Sequence, residues 1–369
     1  MSLSVGIVGL PNVGKSTLFN ALTENNVLAA NYPFATIEPN VGVVGVPDER
    51  LAHLAKLYDS QKIIHSTVTF VDIAGIVKGA AQGEGLGNKF LAAIREADVI
   101  CQVVRVFSSP DIIHVSGNIN PGSDIETVNI ELILADIETL DSRIAKITRE
   151  TRSKPDLIPV MEALQFLKAG LEEGKTAQQI LTSEPGITLE KDENIHKHLK
   201  ELHLLSAKQF IYTFNVDDKD LNNVALQDEL TQLVSPSPAV FISAELEAEM
   251  NTLDEEEKKE LLSAYEQSES GLVKLIRVAF STLGLQSFLT AGPKEVRSWT
   301  IKTGSKAPEA AGAIHSDFQK GFIKAEIINY DDLLQYGSLQ AARGSGKVRI
   351  EGKDYVMRDG DVVEFKFNV

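Results

Sequence analysis

Residues 9–16 read Gly-Leu-Pro-Asn-Val-Gly-Lys-Ser, the pattern G-x-x-x-x-G-K-[ST], and no other stretch restricts the folding of this chain so tightly. An apolar, β-branched run, Leu3 to Val8, precedes it, and Lys15-Ser16-Thr17-Leu18-Phe19-Asn20-Ala21-Leu22 behind it reads as a helix. Strand, loop and helix in that order let the glycines wrap backbone N–H groups around a phosphate at the helix N-terminus. Lys15 then reaches the β/γ-phosphates and Ser16 ligates Mg²⁺. With glycine at about 7% of an average chain, the bare pattern arises by chance in roughly one chain per hundred of this length. The flanking strand and helix make an incidental glycine turn rarer still. Asn12, Val13, Gly14, Lys15, Ser16 and Thr17 are therefore the candidate phosphate-binding residues.

The 369 residues amount to two or three domains. Apolar strands are predicted at 66–72, 99–107, 209–214 and 239–242, with helical stretches such as 89–97 between them. That alternation means an α/β fold with a mostly parallel sheet. Between the strands near 99 and 209, Ile130, Ile133, Ile137, Leu140, Ile144 and Ile147 recur at spacings of three and four, with charged residues on the other faces. Val160, Leu164, Leu167 and Leu171 repeat the pattern after Lys154-Pro155, and Ile195, Leu199 and Leu202 repeat it again. The pattern predicts an inserted antiparallel helical hairpin over 124–206, although helices simply packed on the sheet would share it. Helices are expected at 253–265 and 271–283. Beyond them the chain becomes β-rich, with runs at 298–302, 321–328, 347–351, 353–357 and 362–367, the last three separated by turn residues that suit hairpins. The expected domains are 1–123 with 207–283, the insertion 124–206, and a small α+β domain 284–369.

Downstream of the glycine loop, Val71-Asp72-Ile73-Ala74-Gly75 ends an apolar strand with D-x-x-G. Asp72 there can hold Mg²⁺ through water and the Gly75 amide can bond a γ-phosphate. Glycines 79, 83, 85 and 87 follow, as a mobile switch segment would have them. Thr36 is the candidate to complete the Mg²⁺ shell. Asn215-Val216-Asp217-Asp218 and Ser243-Ala244-Glu245 follow later strands, where GTPases of this fold carry the base-reading sequences N-K-x-D and S-A-K. The Asn, the final Asp and Ser-Ala remain while both lysines are missing, which weakens guanine selectivity; Asp218 can still accept from guanine N1 and N2.

With Gly-Leu-Pro-Asn-Val-Gly-Lys-Ser-Thr, Asn-Tyr-Pro-Phe-Ala-Thr, Asp-Ile-Ala-Gly-Ile-Val-Lys-Gly-Ala and the ending Arg-Asp-Gly-Asp-Val-Val-Glu-Phe-Lys-Phe, the chain resembles the Obg-like ATPase family over essentially its whole length. The resemblance implies a P-loop NTPase (G-protein-like) domain, a helical coiled-coil insertion and a C-terminal ubiquitin-like TGS domain. It also implies a ribosome-associated NTPase that prefers ATP to GTP and reads adenine largely through main-chain atoms, which fall on Val216 here. Many members have Glu where this chain has Asp218. Ile76 stands where Ras-type enzymes place a water-orienting Gln, and it can neither donate nor accept a hydrogen bond, so intrinsic hydrolysis is expected to be slow. A ribosomal partner, or K⁺ held partly by Asn12 as in some NTPases with this loop, is the expected source of help. Two other readings stay open. One is a GTPase switch, favoured by Asp218; the other is a ribosome-binding scaffold with structural nucleotide, favoured by Ile76.

No apolar run approaches the ~18 residues of a membrane span, and one cysteine, Cys101, makes no internal disulfide. A monomeric cytoplasmic protein is expected. The net charge of −16 opposes polyanion binding by the molecule as a whole, but residues 293–369 carry 12 basic against 11 acidic groups, so any RNA contact is local. Arg149, Arg152 and Lys154 on the insertion, and Arg343, Lys347 and Arg349 near the end, are the candidates, with plain solvated surface the alternative. Cys101 reads as a small buried hydrophobe, His196, His198 and His203 as solvent-facing, and Asp254-Glu255-Glu256-Glu257 as the first turn of a helix.

Overall fold

The structure is a computed structural model and describes residues 3–24, 40–73, 86–109 and 119–368. In chain order it contains β1 (Ser4–Val8), α1 (Lys15–Glu24), β2 (Val41–Gly45), α2 (Glu49–Tyr58), β3 (Ile63–Ile64), β4 (Thr67–Asp72), α3 (Leu86–Glu96) and β5 (Val99–Arg105). Helices α4 (Pro121–Glu150), α5 (Ile158–Glu172), α6 (Ala177–Leu181), α7 (Glu184–Glu190) and α8 (Glu193–Glu201) follow. Then come β6 (Gln209–Asn215), α9 (Val224–Val234), β7 (Ala239–Ile242), α10 (Ala244–Met250), α11 (Glu255–Ala264) and α12 (Gly271–Thr282). The last part holds β8 (Leu285–Ala291), β9 (Val296–Lys302), α13 (Ala307–Ile314), β10 (Phe322–Asn329), β11 (Arg349–Glu351) and β12 (Asp361–Phe367). The chain forms two compact units, residues 1–21 with 70–271, and residues 22–69 with 272–369.

In the first unit β4, β1, β5, β6 and β7 lie side by side in that order, and the last four are parallel. All seven residues of β5 are buried, as are six of the seven in β6, because helices cover both faces of a parallel sheet and the central strands become continuous apolar runs. The register pairs Val8 with Gln102, Arg105 with Asn215, and Asn215 with Ile242. The carboxyl ends of these strands, and the loops leaving them, therefore lie along one edge.

The predicted insertion is present. Asn120 caps α4 by accepting from the Ser123 amide at 3.1 Å, with Pro121 at the first helical position where no N–H is needed. The helix stops at Glu150, short of Lys154-Pro155, and the chain returns antiparallel: Lys168 pairs with Asp141 at 2.5 Å and Thr148 approaches Met161. Ile133, Leu140 and Ile147 are buried against Val160, Leu164, Leu167, Leu171, Ile195 and Leu199 in one continuous core. Ile130 is instead 46% exposed, so the seam starts one step later than its spacing implies. The return arm is four helices, because Thr176, Ser183 and Asp192 each cap a fresh start. At the root, the buried Asp136 accepts from the amides of Leu205 (2.7 Å) and Ser206 (2.8 Å) and from the Ser206 hydroxyl (2.6 Å).

The second unit is built on a sheet in the order β11-β10-β12-β8-β9-β3. β8 and β9 form an antiparallel hairpin, β12 runs parallel to β8, and β10 is antiparallel to both β11 and β12. Ala307, Ala310 and Ala311 of α13 pack with Phe288, Ile301 and Phe365 on one face, giving the ubiquitin-like arrangement. Leu51 and Leu54 of α2 pack with Leu289, Val296 and Ile328 in a second core. Two expectations fail here. The run 353–357 is no strand: the Tyr355 carbonyl accepts from Ala307, Met357 donates to Ser305, and only a single bridge, Lys306 to Val356, forms. Nor do β11 and β12 make a hairpin with each other, since both flank β10. Alternation along one strand says which residues face inward, not which neighbour it pairs with.

Candidate functional site

Loops from the carboxyl ends of β1, β5, β6 and β7 enclose a cleft of about 960 Å³ in the first unit. Its walls include Asn12, Gly14, Lys15, Ser16 and Thr17 from the glycine loop, Phe107 and Ser108 after β5, Asn215 to Asp218 after β6, and Ser243 to Glu245 after β7. An open α/β sheet places its ligands at this edge. The loop needs its glycines. Gly14 has φ +92°, and a β-carbon there would lie 2.3 Å from the Asn215 amide nitrogen. A β-carbon on Gly9 would meet the Val103 carbonyl at 2.8 Å. Asn12 is also left-handed, at φ 65°, which asparagine tolerates. Ser16 and Thr17 are exposed at the start of α1, which has no acidic residue in its first turn, so its free amides face the cleft uncontested.

The Lys15 ammonium is paired with the Asp72 carboxylate at the end of β4. An ammonium and a carboxylate thus lie in contact, and the exposed Ser16 follows Lys15 directly in the chain. The hydroxyl and carboxylate oxygens are the donors a hard divalent cation takes, and the ammonium and loop amides are those a polyphosphate takes, so these residues fit a metal–nucleotide complex. Thr36 and Gly75, the other expected catalytic groups, lie outside the described residues, as does Ile76.

Asn215 lines the cleft and also ties loops together. It is 5% exposed; its Nδ2 donates to the Val13 carbonyl at 3.0 Å, and its Oδ1 accepts from the Ala244 amide at 3.0 Å. It ties the phosphate loop to the loop after β7. Its own carbonyl accepts from the amides of Val106 and Phe107, joining the β5 loop to the same residue. Ser243 is likewise committed, its hydroxyl capping α10 by accepting from Leu246. The Val216 amide donates to the Ile242 carbonyl at 2.8 Å. Asp217 accepts from Ser108, and Asp218, half-buried, lines the cleft.

Sequence reading missed Arg105. Its side chain, 1% exposed at the end of β5, donates to the Phe107 carbonyl at 3.2 Å and reaches the Asn12 carbonyl at 3.5 Å, and its guanidinium lies 4.4 Å from the centre of the Phe107 ring. An arginine inside an apolar strand was the available signal. The three basic candidates of the second unit have acidic partners: Arg343 pairs with Glu326 at 2.6 Å, Lys347 with Asp332 at 3.0 Å, and Arg349 with Glu351 at 3.3 Å and Asp361 at 3.5 Å. Cys101 is fully buried beside the Thr213 hydroxyl, and desolvation pushes its thiol up to about 12. His196 pairs with Glu190 at the surface, and among the described residues no cluster of His, Cys, Asp and Glu is arranged to hold a metal. Among them, too, no helix is long and apolar enough to cross a membrane.

Residues 4–161 match the profile of a 50S ribosome-binding GTPase, and residues 285–368 match the C-terminal YchF-GTPase profile, described as a protein of unknown function. The chain is 47% identical to "Ribosome-binding ATPase YchF" of Bacillus subtilis and 44% identical to the protein of that name from Escherichia coli O157:H7, over 100% of each chain. A solved structure of the Schizosaccharomyces pombe YchF GTPase superposes with a TM-score of 0.84 at 36% identity, covering 99% of this chain and 98% of that one. An edge cleft built around a phosphate loop, a helical insertion after β5 and a ubiquitin-like sheet at the end agree with these likenesses: the chain belongs to the YchF family of P-loop NTPases.

Proposed function

We propose that this chain is a cytoplasmic, ribosome-binding, Mg²⁺-dependent ATPase of slow intrinsic turnover whose nucleotide state acts as a switch in translation. The observation that carries the reading is the pairing of Lys15, which lines the cleft with Ser16, to the carboxylate of Asp72. Lys15 is the one charge in the loop for the β/γ-phosphates, Ser16 ligates the metal directly, and Asp72 holds it through water. A Mg²⁺ ion held by Ser16 and Asp72 would supply positive charge to offset that of the phosphates. Thr36 and Gly75 are the proposed γ-phosphate sensors. ATP is preferred because the Val216 carbonyl accepts from the adenine N6 amino group and faces guanine O6 as a second acceptor, while Val216 and Glu245 replace the two lysines of a guanine site. Asp218 in the cleft wall is the observation that favours the GTPase alternative.

The proposed functional division is NTPase domain 1–123 with 207–283, helical insertion 124–206 and TGS domain 284–369. With Arg343, Lys347 and Arg349 paired to acids, Arg149, Arg152 and Lys154 at and just beyond the end of α4 are the better of the two sets of candidates for ribosomal RNA. Lys15→Ala should abolish ATP binding and hydrolysis in a folded protein, and EDTA should abolish turnover. Hydrolysis should rise with added ribosomes, and a drop on replacing K⁺ with Na⁺ would assign Asn12 its K⁺. Unchanged nucleotide affinity in folded Lys15→Ala protein, or full activity in EDTA, would sink the reading.

A further inference from the structure

The carbonyls of two consecutive residues in the glycine loop are each held by a side chain from the carboxyl end of the sheet. Asn215 donates through Nδ2 to the Val13 carbonyl at 3.0 Å, and Arg105 donates through Nη1 to the Asn12 carbonyl at 3.5 Å. Arg105 and Asn215 are paired across β5 and β6, so their side chains leave the sheet on the same side. Arg105 is 1% exposed, and its guanidinium is braced twice more, by the bond from Nε to the Phe107 carbonyl at 3.2 Å and by the Phe107 ring at 4.4 Å. In a trans peptide the carbonyl and the N–H that follows it point to opposite sides of one plane. An Asn12 carbonyl drawn to Arg105 therefore turns the Val13 N–H away from β5, as the bond from Asn215 turns the Gly14 N–H. Asn12 and Gly14, left-handed at φ 65° and 92°, both line the cleft, where successive amides of a curled loop form a concavity for an anion.

We propose that Arg105 is a positioning residue for nucleotide hydrolysis, holding the Asn12–Val13 peptide in the orientation that presents the Val13 N–H to the β-phosphate. The inference rests on the ATPase reading above, in which this loop cradles the polyphosphate. A flip of that one peptide would replace a donor facing the phosphate with a carbonyl oxygen, so its orientation decides whether the loop attracts or repels the anion. The cleft wall is formed by Asn12 and Phe107 rather than by Arg105, which acts through them. Its effect therefore falls on nucleotides that carry a β-phosphate, and a nucleotide with an α-phosphate alone is bound almost as well without it.

Calorimetric affinities for ATP, ADP and AMP, the last by competition, measured on wild type, Arg105→Met and Arg105→Lys, test this. Circular dichroism in urea records the fold of each variant. Arg105→Met keeps an apolar stem and loses every donor, so it should bind ATP and ADP about tenfold more weakly, with AMP within about twofold of wild type. Arg105→Lys keeps a charged donor and should recover about threefold of that loss, a rescue that a packing defect would not show. If Arg105→Met does not fold, Arg105→Lys alone carries the test, with a loss of about threefold confined to ATP and ADP. ATP and ADP affinities unchanged in every folded variant, or an equal loss for AMP, would overturn the inference and leave the ATPase reading standing. If wild type binds ADP no more tightly than AMP, the phosphate-loop reading itself fails and the inference falls with it.

Discussion

Replacing Asn215 with alanine should damage both stability and nucleotide binding. The side chain makes two hydrogen bonds of 3.0 Å between loops far apart in sequence, with Val13 1% and Ala244 3% exposed. Truncation removes both bonds and strands a carbonyl and an amide where water reaches poorly. At about 1–2 kcal/mol for each, the first unit should lose on the order of 2–4 kcal/mol. Asn215→Asp keeps the acceptor for Ala244 but sets a carboxylate oxygen against the Val13 carbonyl, so it should be at least as damaging. Once untied, the phosphate loop must order itself on binding, and ATP affinity should fall at least tenfold, about 1.4 kcal/mol. Trp299, the one tryptophan, belongs to the second unit and is a poor reporter. Far-ultraviolet circular dichroism in urea, with a fluorescent ATP analogue for binding, reads the right part. A loss below about 0.5 kcal/mol with unchanged affinity would refute the joint role given to Asn215.

Gly14→Ala combines a strained φ with a β-carbon against Asn215, and should weaken ATP binding more than Thr17→Ala in the same titration. The Cys101 thiol should resist iodoacetamide at pH 8 in the folded protein and react once urea unfolds it. Because burial raises this thiol from its ordinary 9.0 to about 12, its contribution to stability is complete below pH 9 and is lost as pH climbs toward 12. Urea titrations of Cys101→Ala should accordingly show a shallower fall in stability over pH 9–11 than those of wild type.

The parts of this molecule that were legible in sequence are those whose signal is local. A glycine loop between strand and helix, an aspartate ending the next long strand, and leucines and isoleucines at helical spacing each state their own conformation. Capping of α11 by Asp254, with Glu257 returning the bond, was equally readable. What escaped depends on partners remote in the chain. The tie that Asn215 makes between two loops is visible only once Val13 and Ala244 lie on either side of it. Arg105 resembles nothing until the Asn12 carbonyl is near. β8, with Gln286, Ser287 and Thr290 in its seven residues, carries too little apolar alternation to be seen without β9 and β12 beside it. Ile350, 66% exposed on β11, carries an apolar signal without an apolar surrounding.

The pairing of β3 with β9 joins Ile63 to Val296 and Ile64 to Arg297, and Gln61 and Lys62 bond across the same seam. Leu51 and Leu54, wholly buried in the finished protein, pack with Leu289, Val296 and Leu333. During synthesis these leucines emerge more than two hundred residues ahead of their partners. At about 5–20 residues per second they wait on the order of ten to fifty seconds. Through that interval the apolar side of α2 is bare on a nascent chain, a ready client for chaperones. The second unit therefore closes after translation of the first is complete, and a stall within residues 70–290 would leave an amphipathic helix with nothing of its own to cover it.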